Sequence, residues 1–191
     1  MKALLIDHQD SFTFNLRHWL FSVATSVEII NHASVSNQTF NGYDFVVLSP
    51  GPRNPQDYPH IIHWLEHKYF EKPIFGVCLG MQLMTICSGG SVEKYNSPKH
   101  GKKSSLQIQF HDKTNIDELS GLQVARYHSL KCTGLSEFKT LAFVEESDQS
   151  QVSMWIEHKS KKWMGWQFHP ESFLTEKTYL FQQQLKSWIQ K

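Results

Sequence analysis

Ile74-Phe75-Gly76-Val77-Cys78-Leu79-Gly80-Met81-Gln82 is the stretch on which the reading of this chain turns. Residues 74–77 form a short apolar run of strand length, and 79–88 carry apolar residues at helical spacing, closed by Gly89-Gly90. Cys78 stands between them in the pattern G-x-nucleophile-x-G. A sharp strand-to-helix turn of this kind lifts its central side chain above a sheet, and flanking glycines permit close backbone packing. The helix start adds free N–H groups and a positive partial charge beside the sulfur, both of which favour the thiolate. A small buried cysteine at a tight turn has the same local pattern; the position between strand and helix tips the reading toward a nucleophile.

Outward from this turn, strands alternate with helices. Residues 3–7 are a short apolar run, 26–31 and 44–48 are further strands bounded by turn residues, and helices are expected over 11–22, with Asp10 or Ser11 as cap, and 57–70. Lys72-Pro73 ends the second helix, since the residue before proline disfavours helical geometry. The second half reads as short strands near 91–95, 105–110, 123–126, 139–145, 152–158 and 163–168. A final helix spans 175–190, with Tyr179, Leu180, Leu185, Trp188 and Ile189 on its buried side. This predicts one α/β domain over 1–191: a mostly parallel central sheet flanked by helices, with additional β strands, and a site at the carboxyl ends of the strands.

Composition removes several function classes. A formal net charge of +1 lacks the basic excess that phosphate binding requires, so nucleic acid is not an expected partner. The apolar run after Met1-Lys2 is too short for a signal core or a membrane span, which points to the cytoplasm and away from membranes. Three cysteines, with no CxxC, form neither a disulfide scaffold nor a zinc motif; Cys87 and Cys132 read as structural thiols.

A cysteine nucleophile needs a base and a group to orient it. Gln167-Phe168-His169-Pro170-Glu171-Ser172 offers His169 and Glu171, which share one side if the segment is extended. Ser49-Pro50-Gly51-Pro52 follows the strand ending at Leu48. A glycine there lets a backbone N–H point inward, so Gly51 and Leu79 are the expected oxyanion donors. Alone, that loop is a proline-stiffened turn and the His-x-Glu is a common pair; the upstream elbow gives both their meaning.

Taken together, these segments resemble the class I, triad-type glutamine amidotransferases, in order along the chain. Asp7-His8-Gln9-Asp10-Ser11-Phe12-Thr13-Phe14-Asn15 is similar to the family's opening motif, and Arg126-Tyr127-His128-Ser129-Leu130 and Gly165–Ser172 complete the set. The resemblance implies a flavodoxin-like amidotransferase fold and a glutaminase with the triad Cys78, His169 and Glu171. The opening motif and Arg-Tyr-His-Ser-Leu point to the branch serving chorismate-using synthases, which make anthranilate or 4-amino-4-deoxychorismate. The implied partners are L-glutamine and a chorismate-binding synthase subunit. Gly51, Pro52, Gln82, Ser129 and Leu130 are the implied substrate-holding residues, and neither metal nor cofactor is implied.

Two residues depart from that branch. Met81 replaces a usual His, and Arg53 occupies a position that is usually Gly, where a positive φ would strain it. Other readings stay open: a hydrolase of another γ-glutamyl amide, or a silent subunit that only binds a partner. His60, His63 and His67 share a helical face, yet without a carboxylate or HExxH they read as a solvated face instead of a metal site. His100-Gly101-Lys102 resembles a loop near the partner interface and equally fits an exposed basic turn. His128 is a weaker candidate base than His169, having no carboxylate beside it.

Overall fold

A computed structural model describes residues 1–36, 40–66, 72–109 and 116–191. Strands β1 (Lys2–Asp7), β2 (Ser26–Asn31), β3 (Phe45–Leu48) and β4 (Ile74–Val77) alternate with helices α1 (Thr13–Leu20), α2 (Pro59–Glu66) and α3 (Leu79–Cys87). Then come β5 (Ser91–Lys94), β6 (Lys102–Ser105), β7 (Gln107–Ile108), β8 (Gln123–Arg126) and β9 (Leu130–Thr133). Strands β10 (Phe138–Glu145), β11 (Gln151–His158) and β12 (Trp163–Trp166) and helix α4 (Thr178–Gln190) end the chain.

The described strands build an eight-stranded sheet in the order β2-β1-β3-β4-β12-β11-β10-β7. Its first five strands are parallel and the remaining pairs antiparallel. The parallel part has the flavodoxin order, with β12 as the fifth strand after a long excursion through small β pairs. Alternate side chains divide between the two faces. Ala3, Leu5, Val47 and Phe75 pack with Leu16, Trp19, Phe181 and Leu185 of α1 and α4, while Leu4, Ile6, Val46 and Ile74 pack with Ile61, Trp64, Leu83 and Met84 of α2 and α3. Burial on both faces accounts for the unbroken apolar runs that mark these strands.

Several expectations need correction. The N-cap of α1 is Phe12, with no side-chain cap; Asp10 instead accepts the Phe12 N–H at 2.8 Å, so the helix starts at Thr13. A 3₁₀ turn, Pro55–Asp57, separates α2 from the start expected for it, and residues 67–70 of that helix lie outside the described residues. The expected strand 105–110 is two, β6 and β7, and its residue 110 lies outside the described residues. Strand β9, paired with β5, was not expected. Helix α4 begins at Thr178, because the Thr178 hydroxyl donates to Pro170 O and receives the Trp19 indole N–H. That rotation buries Phe181, Leu185 and Trp188 and leaves Tyr179 54% exposed.

Candidate active site

The carboxyl ends of β1, β3, β4 and β12, neighbours in the sheet, supply His8, Gly51, Cys78 and His169. Cys78 sits at the N-cap of α3 with φ 52° and ψ −102°, a strained conformation for an L residue. Its N–H continues the ladder to Trp166 O at 2.7 Å, which ties the elbow to β12. Close packing supports the strain. A Cβ on Gly80 would lie 2.4 Å from Leu48 O, and one on Gly76 would lie 2.5 Å from the Gly80 carbonyl carbon. Met81 is fully buried and packs on Gly165, where it takes no part in the polar site.

His169 Nδ1 and Glu171 Oε1 are 2.6 Å apart, both side chains being almost inaccessible. The contact forms across a turn, not along an extended segment. His169 makes an isolated bridge with Ala125, after which Pro170 and Glu171 turn back and Ser172 N–H donates to His169 O. Thr175 locks this bridge: its hydroxyl donates to His169 O at 2.6 Å and accepts the Ala125 N–H at 3.0 Å. Phe12 and Tyr127 pack their rings on the imidazole, at centroid distances of 5.3 and 5.0 Å. Burial alone would push the His169 pKa down. The Glu171 carboxylate, and then the adjacent Cys78, overcome that and hold it well above the ordinary histidine value. Nδ1–H donates to the carboxylate, and the buried Nε2 is left without a close hydrogen-bond partner among the described residues.

His128 is also buried, but both its ring nitrogens are occupied. Nδ1 faces Leu130 O at 2.8 Å and Nε2 receives the Arg126 Nε–H at 3.0 Å. Burial, followed by the Arg126 charge, lowers its pKa to about 3. This arrangement suits a neutral structural imidazole. Arg126 is itself fully buried, and its Nη1 meets Glu146 Oε1 at 2.6 Å.

The remaining expected site residues differ in burial and contacts. Gly51 backs directly onto Leu79 and His8: an added Cβ would lie 2.4 Å from Leu79 Cδ2 and 2.7 Å from His8 Cβ. Pro52 is exposed, and its carbonyl accepts the Tyr58 hydroxyl. Arg53 has φ 70°, the left-handed geometry that strains an L residue. Gln82 is 3% exposed and its amide turns to Gln167 at 3.2 Å. Ser129 is exposed and Leu130 half-buried, at the start of β9. His100 places its ring 5.8 Å from Tyr127, on the side of the site.

Two residues near the sulfur carried no expected role. Gln167 donates its amide N–H to Cys78 Sγ at 3.4 Å; its place two residues before His169 was the available signal. His8 fastens the Gly51 loop, its N–H and Nδ1 meeting Ser49 Oγ at 2.9 and 3.1 Å. His60 pairs with His32 at 3.0 Å, which in turn stacks on His8, and His67 lies outside the described residues. Among the described residues, no group of His, Cys, Asp and Glu forms a metal site.

Residues 4–187 match the family model described as glutamine amidotransferase class-I. The chain belongs to that family. Curated relatives agree with it: this amidotransferase is 34% identical to a pyocyanine-specific anthranilate synthase component 2 of Pseudomonas aeruginosa, covering 92% of this chain and 88% of that protein. It is 36% identical to an aminodeoxychorismate synthase of Streptomyces griseus, over 92% of this chain and 24% of that longer protein. A solved glutamine amidotransferase from Thermotoga maritima superposes with a TM-score of 0.75 at 17% identity, covering 98% and 94% of the two chains, and supports the fold. No helix among the described residues of the amidotransferase is long and apolar enough to cross a membrane.

Proposed function

We propose that residues 1–191 act as one glutaminase unit that delivers ammonia to a separate chorismate-using synthase subunit, through a triad of Cys78, His169 and Glu171. The observation that carries this reading is the buried 2.6 Å contact of His169 with Glu171, in the turn just beyond β12, whose neighbour β4 leads into the strained Cys78 elbow. Cys78 attacks the side-chain amide carbon of glutamine as a thiolate. The oxyanion that forms is met by the N–H groups of Gly51 and Leu79, in a water-poor pocket where such donors are strongest. His169, holding its proton because Glu171 faces it, gives that proton to the departing nitrogen as the C–N bond breaks. Ammonia leaves and a γ-glutamyl thioester remains. Water then attacks the thioester, His169 accepts its proton, and glutamate departs as the sulfur returns to the thiolate.

Gly51, Pro52, Ser129 and Leu130 form the proposed rim for the glutamine backbone, with Gln82 beneath it. The relatives named for anthranilate and aminodeoxychorismate synthesis support the choice of a chorismate-using partner. The test is glutamate release from glutamine, with and without a chorismate-binding synthase subunit. Cys78→Ser is expected to abolish release while the complex still aminates chorismate from added ammonia. Full turnover by Cys78→Ser would refute the mechanism, and no amination from ammonia would refute the delivery role.

A further inference from the structure

We infer that Gln167 is a further catalytic residue, whose side-chain amide holds the Cys78 sulfur as thiolate while Gln82 and Cys132 fix which end of the amide faces it. The inference rests on Cys78 being the proposed nucleophile. Gln167 is fully buried, and its Nε2 lies 3.4 Å from Sγ. A glutamine amide presents either a donor or an acceptor, according to how the group is turned. Here the groups behind it favour one choice. Gln167 Oε1 accepts from Gln82 Nε2 at 3.2 Å and from the Cys132 thiol at 3.9 Å. Burial raises the Cys132 thiol to about 12, so it keeps its proton at any working pH and remains a donor. Turning the Gln167 amide around would set its NH₂ against the Cys132 thiol, require Gln82 to turn as well, and leave a buried carbonyl oxygen facing a nucleophilic sulfur.

An N–H aimed at sulfur favours S⁻ over S–H, because hydrogen bonds to a charged acceptor are the stronger ones. A neutral amide does this without adding a positive charge, which would repel the His169 proton and work against Glu171. The same bond serves again when the thioester breaks, since it stabilises the sulfur as a leaving group. Cys132, which has the composition of an ordinary structural thiol, thereby acquires a positioning role.

The experiment is the pH dependence of Cys78 alkylation by iodoacetamide in the full chain, followed by mass spectrometry of the Cys78 peptide. Gln167→Leu is expected to move the profile up by about one pH unit, so that on its rising limb the variant reacts about tenfold more slowly. The plateau rate at high pH stays unchanged, a pattern that general loosening of the site would not give. Superimposable profiles for the variant and the parent chain overturn the inference. Should Gln167→Leu fail to fold, Gln167→Glu keeps the shape and replaces the donor with an acceptor. It too is expected to slow alkylation at least tenfold on the rising limb of the profile, and an equal or faster rate there overturns the inference. Glutamate release by the parent chain is measured in parallel. A shifted profile without release removes the proposed function and leaves the role of Gln167; normal release with unshifted profiles does the reverse.

Discussion

Lowering the pH from 6 to 4.5 is expected to remove about 4 kcal/mol of folding stability, through two imidazoles that the fold keeps neutral. Burial, then the neighbouring His32, lowers His8 to about 3, against the opposing bond from Ser49. Burial and Arg126 do the same to His128. The unfolded chain takes up these protons near pH 6.5, whereas the fold refuses them until about 3. Their stabilisation is therefore complete above pH 6.5 and is lost as pH falls toward 3. Well below 6.5 each contributes a slope of ~1.4 kcal/mol per pH unit, so the pair loses about 4 kcal/mol across the window. His169 has the opposite shift: below pH 6.5 it is charged in both states and adds almost no slope, and its stabilisation is lost only as pH rises through its elevated value. Urea unfolding at a series of pH values, followed by the fluorescence of the fully buried Trp163 and Trp166, measures the profile. His128→Gln is expected to flatten it by ~1.4 kcal/mol per unit. A level profile between pH 6 and 4.5, or an unchanged slope in His128→Gln, would refute the reasoning.

Glu171→Gln keeps the shape of the side chain but removes the charge that holds the His169 proton. Glutamate release is expected to fall on the order of 10³-fold or more, and a loss under about tenfold would take Glu171 out of the proposed machinery. Arg53→Gly relieves a left-handed backbone and is expected to stabilise the chain by about 1 kcal/mol; a lower melting temperature would contradict that. Gly80→Ala forces a methyl group against Leu48 O, and a cost of about 2–3 kcal/mol in urea unfolding is expected. Unchanged stability would mean that β3 and α3 are not in the close contact described.

The parallel half of the fold was legible because β1, β3 and β4 are buried on both faces and read as unbroken apolar runs, while the edge strand β2 keeps Val27, Ile29 and Ile30 between turn residues. Strand β9 was not, since Leu130-Lys131-Cys132-Thr133 alternates apolar and polar over only four residues, too short a stretch to decide; its pairing with β5 defines it. Tyr179 reads as core by spacing, but the start of α4 is set by tertiary bonds from Thr178 that no local pattern contains. In the site, the positions of Cys78, His169 and Glu171 could be proposed from motif spacing alone. The contact between the last two was expected for the wrong reason, because the turn after the Ala125 bridge brings them together. Gln167 could not be placed, since its amide meets Cys78 only once β12 lies beside β4.

That last pairing sets a timetable for synthesis on the ribosome. The nascent chain delivers β1 to β4 and the Cys78 elbow early, with the edge of β4 open. The strand that closes this edge carries Gln167 behind it, 89 residues after the cysteine, and His169 and Glu171 follow within the next four positions. Under the proposed mechanism, the event that completes the parallel sheet also brings Gln167, His169 and Glu171 to Cys78, and a chain cut short before β12 lacks all three.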